Sequence, residues 1–251
     1  MVHFVGAGSG APDLITVRGQ RLLQKADVII YAGSLVNPQL LELAKDGTQI
    51  FNSAVMTLEE VIEQMQIAWE KGLDVVRLHT GDQSLYGAVR EQMDELDRLG
   101  IPYDSTPGVS SFLAAASSMN LEYTLPGVSQ SLIITRMAGR TPVPPKESIE
   151  SFAAHQATMA IFLSTGLLTE LQQRLVAGGY PADTPAAIVY KASWEDEKVC
   201  RCIVASLAET AKTNGITKTA LILVGHAVAQ ADYDRSKLYD PQFTTEFRQG
   251  R

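Results

Sequence analysis

Short apolar runs alternating with longer stretches of helical periodicity fill the first half of the chain, and this alternation leaves it few folds to choose from. Residues 3–5, 28–31, 49–51, 75–79 and 102–105 read as strands. Residues 17–25, 38–44, 58–71 and 88–99 read as helices; in the last, Val89, Met93, Leu96 and Leu99 recur at helical spacing. Strands rich in Val and Ile, each followed by a helix, predict a mainly parallel sheet covered on both faces. The second half repeats the theme, with strands predicted over 131–135, 158–163, 186–190, 198–204 and 220–224 and helices over 167–177 and 205–213. Between the halves, Pro126-Gly127 is a turn signal. The expected architecture is α/β: two consecutive α/β domains, 1–124 and 125–251, with a ligand cleft between them. The polar and aromatic stretch from Asp232, carrying Tyr233, Tyr239, Phe243 and Phe247, reads as an appended arm.

Composition narrows the function classes. A hydrophobic fraction of 45% and a charged fraction of 20% are those of a globular protein able to bury a sizeable core. The longest apolar runs are too short to cross a bilayer, and the N-terminus enters a strand without a basic stretch and long apolar run. No membrane partner and a cytoplasmic location are therefore expected. A net charge of −7 with no basic stripe argues against nucleic acid, but a locally basic pocket for an anionic small molecule stays open. Cys200 and Cys202 point to one face if they lie on a strand. No further ligands adjoin them, so reduced thiols are expected and no metal site.

The opening strand runs into Gly6-Ala-Gly-Ser-Gly-Ala11, which fits the dinucleotide pattern G-x-G-x-x-A, with Asp27 about where a ribose-binding acid would fall. That pattern works when a helix begins inside the glycines and turns its amides toward the pyrophosphate. Here Pro12 disfavours helix at Ala11, and the next good start is Thr16. Asp27 precedes its strand instead of ending it. The glycines are predicted to form an extended loop, and a nicotinamide-dependent oxidoreductase is the weaker alternative.

Read as Gly6-Ala-Gly-Ser-Gly-Ala-Pro-Asp-Leu-Ile-Thr16, the loop resembles the opening loop of the tetrapyrrole methylases. Three further loops agree with that family in order and spacing: Tyr31-Ala-Gly-Ser-Leu-Val36, Thr80-Gly-Asp-Gln-Ser-Leu-Tyr-Gly87 and Thr106-Pro-Gly-Val-Ser-Ser111. Each follows a predicted strand, so in a parallel sheet they gather at one edge. The likeness continues through Ile133–Arg136, Gly139–Val143, Val189–Trp194 and Ala220–Gly225, and so covers nearly the whole chain. Ser9 stands where proline is common, Ala11 where an acid is common, and Gln83 where proline follows Gly-Asp.

The resemblance implies S-adenosylmethionine as methyl donor, S-adenosylhomocysteine as product, and a homodimer. The later segments look like the branch that methylates C-11 of precorrin-4 or its cobalt-containing counterpart in corrin synthesis. Methylation at another ring position, of the uroporphyrinogen III or precorrin-2 type, is the alternative within the family. Carried over residue by residue, the cofactor would be contacted by Pro12, Gly81, Asp82, Gln83, Tyr86, Ser110 and Ser111. Leu163, Ala192 and the Gly225-His226 turn would frame its adenine from the second domain. Asp82 has a competing reading as a turn or helix cap before 85–99, and Tyr86 and Leu163 as core residues. The substrate would be a polyanion, and Arg136 and Arg140 are the candidates for its carboxylates, because a guanidinium donates two parallel hydrogen bonds. Lys191 and Arg18 are weaker candidates. His79, beside the Gly81-Asp82 loop, is a candidate proton acceptor, although a strand-end histidine is more often structural. His3 and His155 show no special context. No catalytic residue is assigned.

Overall fold

The computed structural model describes residues 1–33 and 35–251; Ser34, in the loop after the second strand, lies outside the described residues. The chain forms two compact units, Met1–Ala114 with Ala192–Asp196, and Ala115–Lys191 with Glu197–Arg251. The stretch 192–196 thus belongs to the first unit although unit-two chain flanks it on both sides.

In the first unit, β1 (Val2–Gly6), β2 (Val28–Tyr31), β3 (Gln49–Asn52), β4 (Val75–His79) and β5 (Tyr103–Thr106) form a sheet ordered β3-β2-β4-β1-β5. Every neighbouring pair is parallel. Residues on alternate sides enter two separate cores. Val2, Phe4, Val28, Ile30 and Val75 meet Val61, Met65 and Leu96 on one face. Val5, Ile29, Val76 and Leu78 meet Leu23 and Leu40 on the other.

The covering helices are α1 (Val17–Lys25), α2 (Leu58–Glu70) and α3 (Arg90–Leu99). Thr16 caps α1 through Gly19 N, and Thr57 with Glu60 forms a capping box on α2. Gly100 ends α3 in the left-handed conformation. The helix expected over 38–44 is a 3-10 helix, Pro38–Leu43, capped by Asn37 and burying only Leu40. Leu41 and Leu43 pack on the same core but are only partly buried. Helix α4 (Ser111–Met119) was not predicted; its sequence of Ala, Ser and a few large residues carries little periodic contrast.

The second unit holds β6 (Leu132–Arg136), β7 (Thr158–Phe162), β8 (Pro185–Tyr190), β9 (Lys198–Ile203) and β10 (Ala220–Val224), ordered β6-β7-β10-β8-β9. Only β6 and β7 run parallel. The other three pairs are antiparallel. The connection from Tyr190 to Lys198 is too short for the crossover that parallel neighbours need. Helices α5 (Ile149–Ala153), α6 (Leu168–Ala177) and α7 (Leu207–Thr213) complete the unit. Leu171, Leu175, Leu207 and Ala211 pack on Met159, Ile161, Ile188 and Ile222, with Cys200 and Cys202 at the margin of this core as free thiols. Burial raises the Cys202 thiol pKa. Among the described residues no helix is long and apolar enough to cross a membrane, and no three His, Cys, Asp or Glu side chains cluster as a metal site.

Candidate cofactor site

Because every pair in the first sheet is parallel, the loops after β1, β4 and β5 leave the same edge, and they lock together through backbone. Ala7 N donates to His79 O at 2.7 Å, Gly8 N to Gly81 O at 3.2 Å, and Gly81 N to Gly8 O at 2.8 Å. A Cβ on Gly6 would lie 2.5 Å from Gly108 Cα and 2.6 Å from Gly81 O, so all three loops meet where only glycine fits. Asp82 fastens the junction. Its Oδ2 accepts from Gly108 N at 2.8 Å, and its Oδ1 accepts from Ser84 N at 2.9 Å and from Ser84 Oγ. Desolvation by burial, the largest single influence, pushes the Asp82 pKa up. The hydrogen bonds from Ser84 and Gly108 together outweigh it and hold the carboxyl below its ordinary value. Of the competing reading of Asp82, the helix cap is overturned, since α3 starts at Arg90 and has no side-chain cap, while the turn is present in the bond from Ser84 N to Oδ1.

Gln83 is 6% exposed; its Nε2 donates to Thr106 O at 3.1 Å. That bond orients the amide and leaves Oε1 as a buried acceptor with no partner among the described residues. An acceptor so placed calls for a donor. Ser110 is buried beside Gly81, and Ser111 opens α4. Pro12 opens a single 3-10 turn, Pro12–Leu14, and Ala11 is extended, so the glycine run does not feed a helix N-terminus. Asp27 lies before β2, at the opposite end of the parallel strands, bonded to Lys45 Nζ at 2.6 Å and to Asp74 N. Both departures remove the geometry a dinucleotide requires.

Tyr86 and Leu163 are not core residues: they are 43% and 67% exposed, with φ of 58° and 52°. Large side chains on left-handed backbone cluster where function maintains the strain. Tyr86 follows the Gly81-Asp82 turn in the first unit; Leu163 ends β7 in the second. Parallel pairing sets Arg136 opposite Phe162, at the same end of the second sheet as Leu163. Antiparallel pairing sends β10 the other way: Val224 pairs with Met159, and Gly225 packs on Thr158 at the start of β7. At about 3.3 Å per residue, Gly225 and Leu163 stand roughly 15 Å apart, more than an adenine spans. The framing of one adenine by Leu163 together with Gly225-His226 is thereby corrected. Ala192 is buried and begins the 192–196 stretch of the first unit.

The two arginines differ. Arg136 donates from NH1 to Met137 O and Thr141 O and from NH2 to Pro142 O, at 3.1, 3.0 and 2.9 Å. It is the staple of the loop 137–142, and it places the exposed Arg140 near that loop's tip. His79 is 4% exposed and stacks on Phe4. Burial, then the Arg77 charge, lower its pKa to about 3, so at neutral pH it is too weak a base for the role considered for it. Sequence reasoning assigned no role to Asn37, Ser193 or Trp194, all of which bond the first loop; the serine at position 9, in place of proline, was the one visible signal.

The glycine cradle and the buried Gln83 acceptor fit a ligand with an N–H-donating end, as the amino-acid part of S-adenosylmethionine has. Comparison with known proteins agrees. The model of the tetrapyrrole (corrin/porphyrin) methylases matches residues 1–208, and the chain belongs to that family. It is 53% identical over 247 residues to the cobalt-precorrin-4 C(11)-methyltransferase of Methanocaldococcus jannaschii, covering 98% of this chain and 95% of the relative. The X-ray structure of a cobalt precorrin-4 methyltransferase superposes with a TM-score of 0.89 at 45% identity, over 90% of this chain and 95% of that one. The uroporphyrin-III C-methyltransferase of Thermus thermophilus complexed with S-adenosylhomocysteine does so at 0.77 and 26% identity, over 93% and 95%.

Proposed function

We infer that this chain transfers the methyl group of S-adenosylmethionine to C-11 of precorrin-4 or cobalt-precorrin-4 in corrin-ring synthesis. The observation that carries the reading is the end-to-end likeness to the Methanocaldococcus jannaschii enzyme. The cofactor supplies an activated methyl: the ring carbon attacks it in line, the C–S bond breaks toward sulfur, and the macrocycle later loses a proton. The protein's part is to hold carbon and methyl at near-attack distance, which can contribute much of the acceleration.

In this reading Gly81, Asp82, Gln83 and Tyr86 take the amino-acid end of the cofactor, with Pro12, Ser110 and Ser111 beside them. Leu163 and Ala192 are proposed for the adenine. Arg140 takes a substrate carboxylate, and Arg136 acts by shaping the loop that carries Arg140. A homodimer in the cytoplasm is the expected working form. One turnover assay tests the reading. The purified chain, S-adenosylmethionine and precorrin-4, with or without cobalt, should give a product one methyl heavier, and fragmentation should place that methyl at C-11. A methyl at another position, or no transfer to either form, would refute it. Light scattering should return twice the chain mass.

A further inference from the structure

We propose that Ser193 is a positioning residue that holds the first glycine-rich loop in shape for the cofactor, with Trp194 as its backing plate; this rests on the cofactor reading above. The loop cannot hold itself. Its backbone is tied to the β4 side only as far as Gly8, and the next internal backbone bond is Leu14 N to Ala11 O. Residues 9–11 are anchored by side chains from elsewhere in the same unit. Ser193 Oγ lies 2.8 Å from Ser9 Oγ and accepts from Ala11 N at 3.1 Å. Trp194 Nε1 donates to Ser9 O at 3.1 Å, and Asn37 Nδ2 to Gly10 O at 2.9 Å. The indole lies so close on Gly10 that a Cβ there would collide with its ring. Gly10 is glycine because Trp194 occupies the space a side chain would need.

Two features set this contact apart from ordinary packing. Ser193 has a φ of 68° and Lys191, two residues earlier, a φ of 46°. Non-glycine residues keep such backbone only where the surroundings over-determine it. Here the conformation delivers one hydroxyl to two partners on a loop 184 positions earlier in the chain. Ser9, which departs from the family's proline, is one of those partners. Proline would stiffen the loop by itself; this chain replaces that stiffness with a hydrogen bond from 192–196. The residue that follows the anchored stretch is Pro12, a proposed cofactor contact, so slack at residues 9–11 passes directly to it.

The test uses Ser193→Gly, which keeps the left-handed backbone without strain and removes the hydroxymethyl side chain that bonds Ser9 and Ala11. The chain has two tryptophans, Trp69 on α2 and Trp194. In a Trp69→Phe background, emission therefore reports on Trp194 alone. Calorimetry with S-adenosylhomocysteine should show binding weakened roughly 5- to 30-fold, as loss of one or two hydrogen bonds implies. The KM for S-adenosylmethionine should rise in step while kcat stays within about two-fold. Trp194 emission should shift to longer wavelength and cease to respond to the ligand. Gly10→Ala, which displaces the indole and leaves every hydroxyl in place, should give the same pattern. Affinity within two-fold of the parent in Ser193→Gly would overturn the proposal, as would a lowered melting temperature with unchanged affinity and emission response. Absence of S-adenosylhomocysteine binding by the parent chain would overturn the cofactor reading itself, and this proposal with it.

Discussion

His79→Leu tests the interior beneath the glycine-rich loops. In the native protein the imidazole is buried against Phe4, its Nε2 has no partner among the described residues, and its pKa is down to about 3. In the unfolded chain it returns to about 6.5. Above pH 6.5 both states are neutral and the residue adds no pH dependence. Between 6.5 and 3 the unfolded state binds a proton that the native state refuses, so stability falls as pH falls; below 3 the loss is complete. From pH 8 to pH 5 this amounts to about 2 kcal/mol. Urea unfolding at pH 8, 7, 6 and 5 should show the parent losing about that much more stability than His79→Leu. The carboxylates held below their ordinary range, Asp27 and Asp82, release their stabilisation at lower pH and are common to both proteins. The variant should also keep the acid limb of the methyl-transfer profile, because the residue is not the base. Parallel stability curves for the two proteins, or a native His79 resonance titrating near 6.5, would refute the reasoning.

Four further perturbations probe the site. Asp82→Ala removes the acceptor for Gly108 N and Ser84 N; it should cost about 1–2 kcal/mol in unfolding free energy and weaken S-adenosylhomocysteine binding, and an unchanged urea midpoint would count against the loop-tie role. Gly108→Ala drives a methyl into Gly81 O and to 2.7 Å from Gly6 Cα; overpacking of about 1–3 kcal/mol with loss of ligand binding by calorimetry is expected. Arg140→Ala should weaken tetrapyrrole binding roughly five-fold at low salt and less at high salt, with cofactor affinity untouched and Arg140→Lys recovering part of the loss. Arg136→Ala should weaken tetrapyrrole binding too, but with a lowered melting temperature, since its guanidinium holds three loop carbonyls.

Much of this protein was legible before any coordinates. The parallel sheet of the first unit follows from Val- and Ile-rich runs separated by amphipathic helices, because burial on both faces leaves a local imprint on each strand. The extended glycine loop follows from Pro12, whose ring restricts Ala11 whatever the rest of the chain does. The gathering of the Gly6, Gly81 and Gly108 loops follows from strand direction alone. Helices α4 and α5 escaped because neither carries enough periodic contrast to show, and the helix expected over 38–44 is a 3-10 helix, a tightening that apolar spacing does not register.

What the sequence by itself determined were properties set by near neighbours: dihedral limits, caps, alternation of buried faces, and the family motifs that ride on them. The tertiary structure alone decided who meets whom across long separations. Asp82 finds Gly108 N instead of a helix end, and Arg136 turns back on its own loop. Gly225 falls at the far end of the second sheet from Leu163 because β10 runs against β7. Ser193 reaches Ser9 across 184 positions. Strand direction and register come from packing the whole sheet against its helices, a sum over distant residues that no local window of sequence contains.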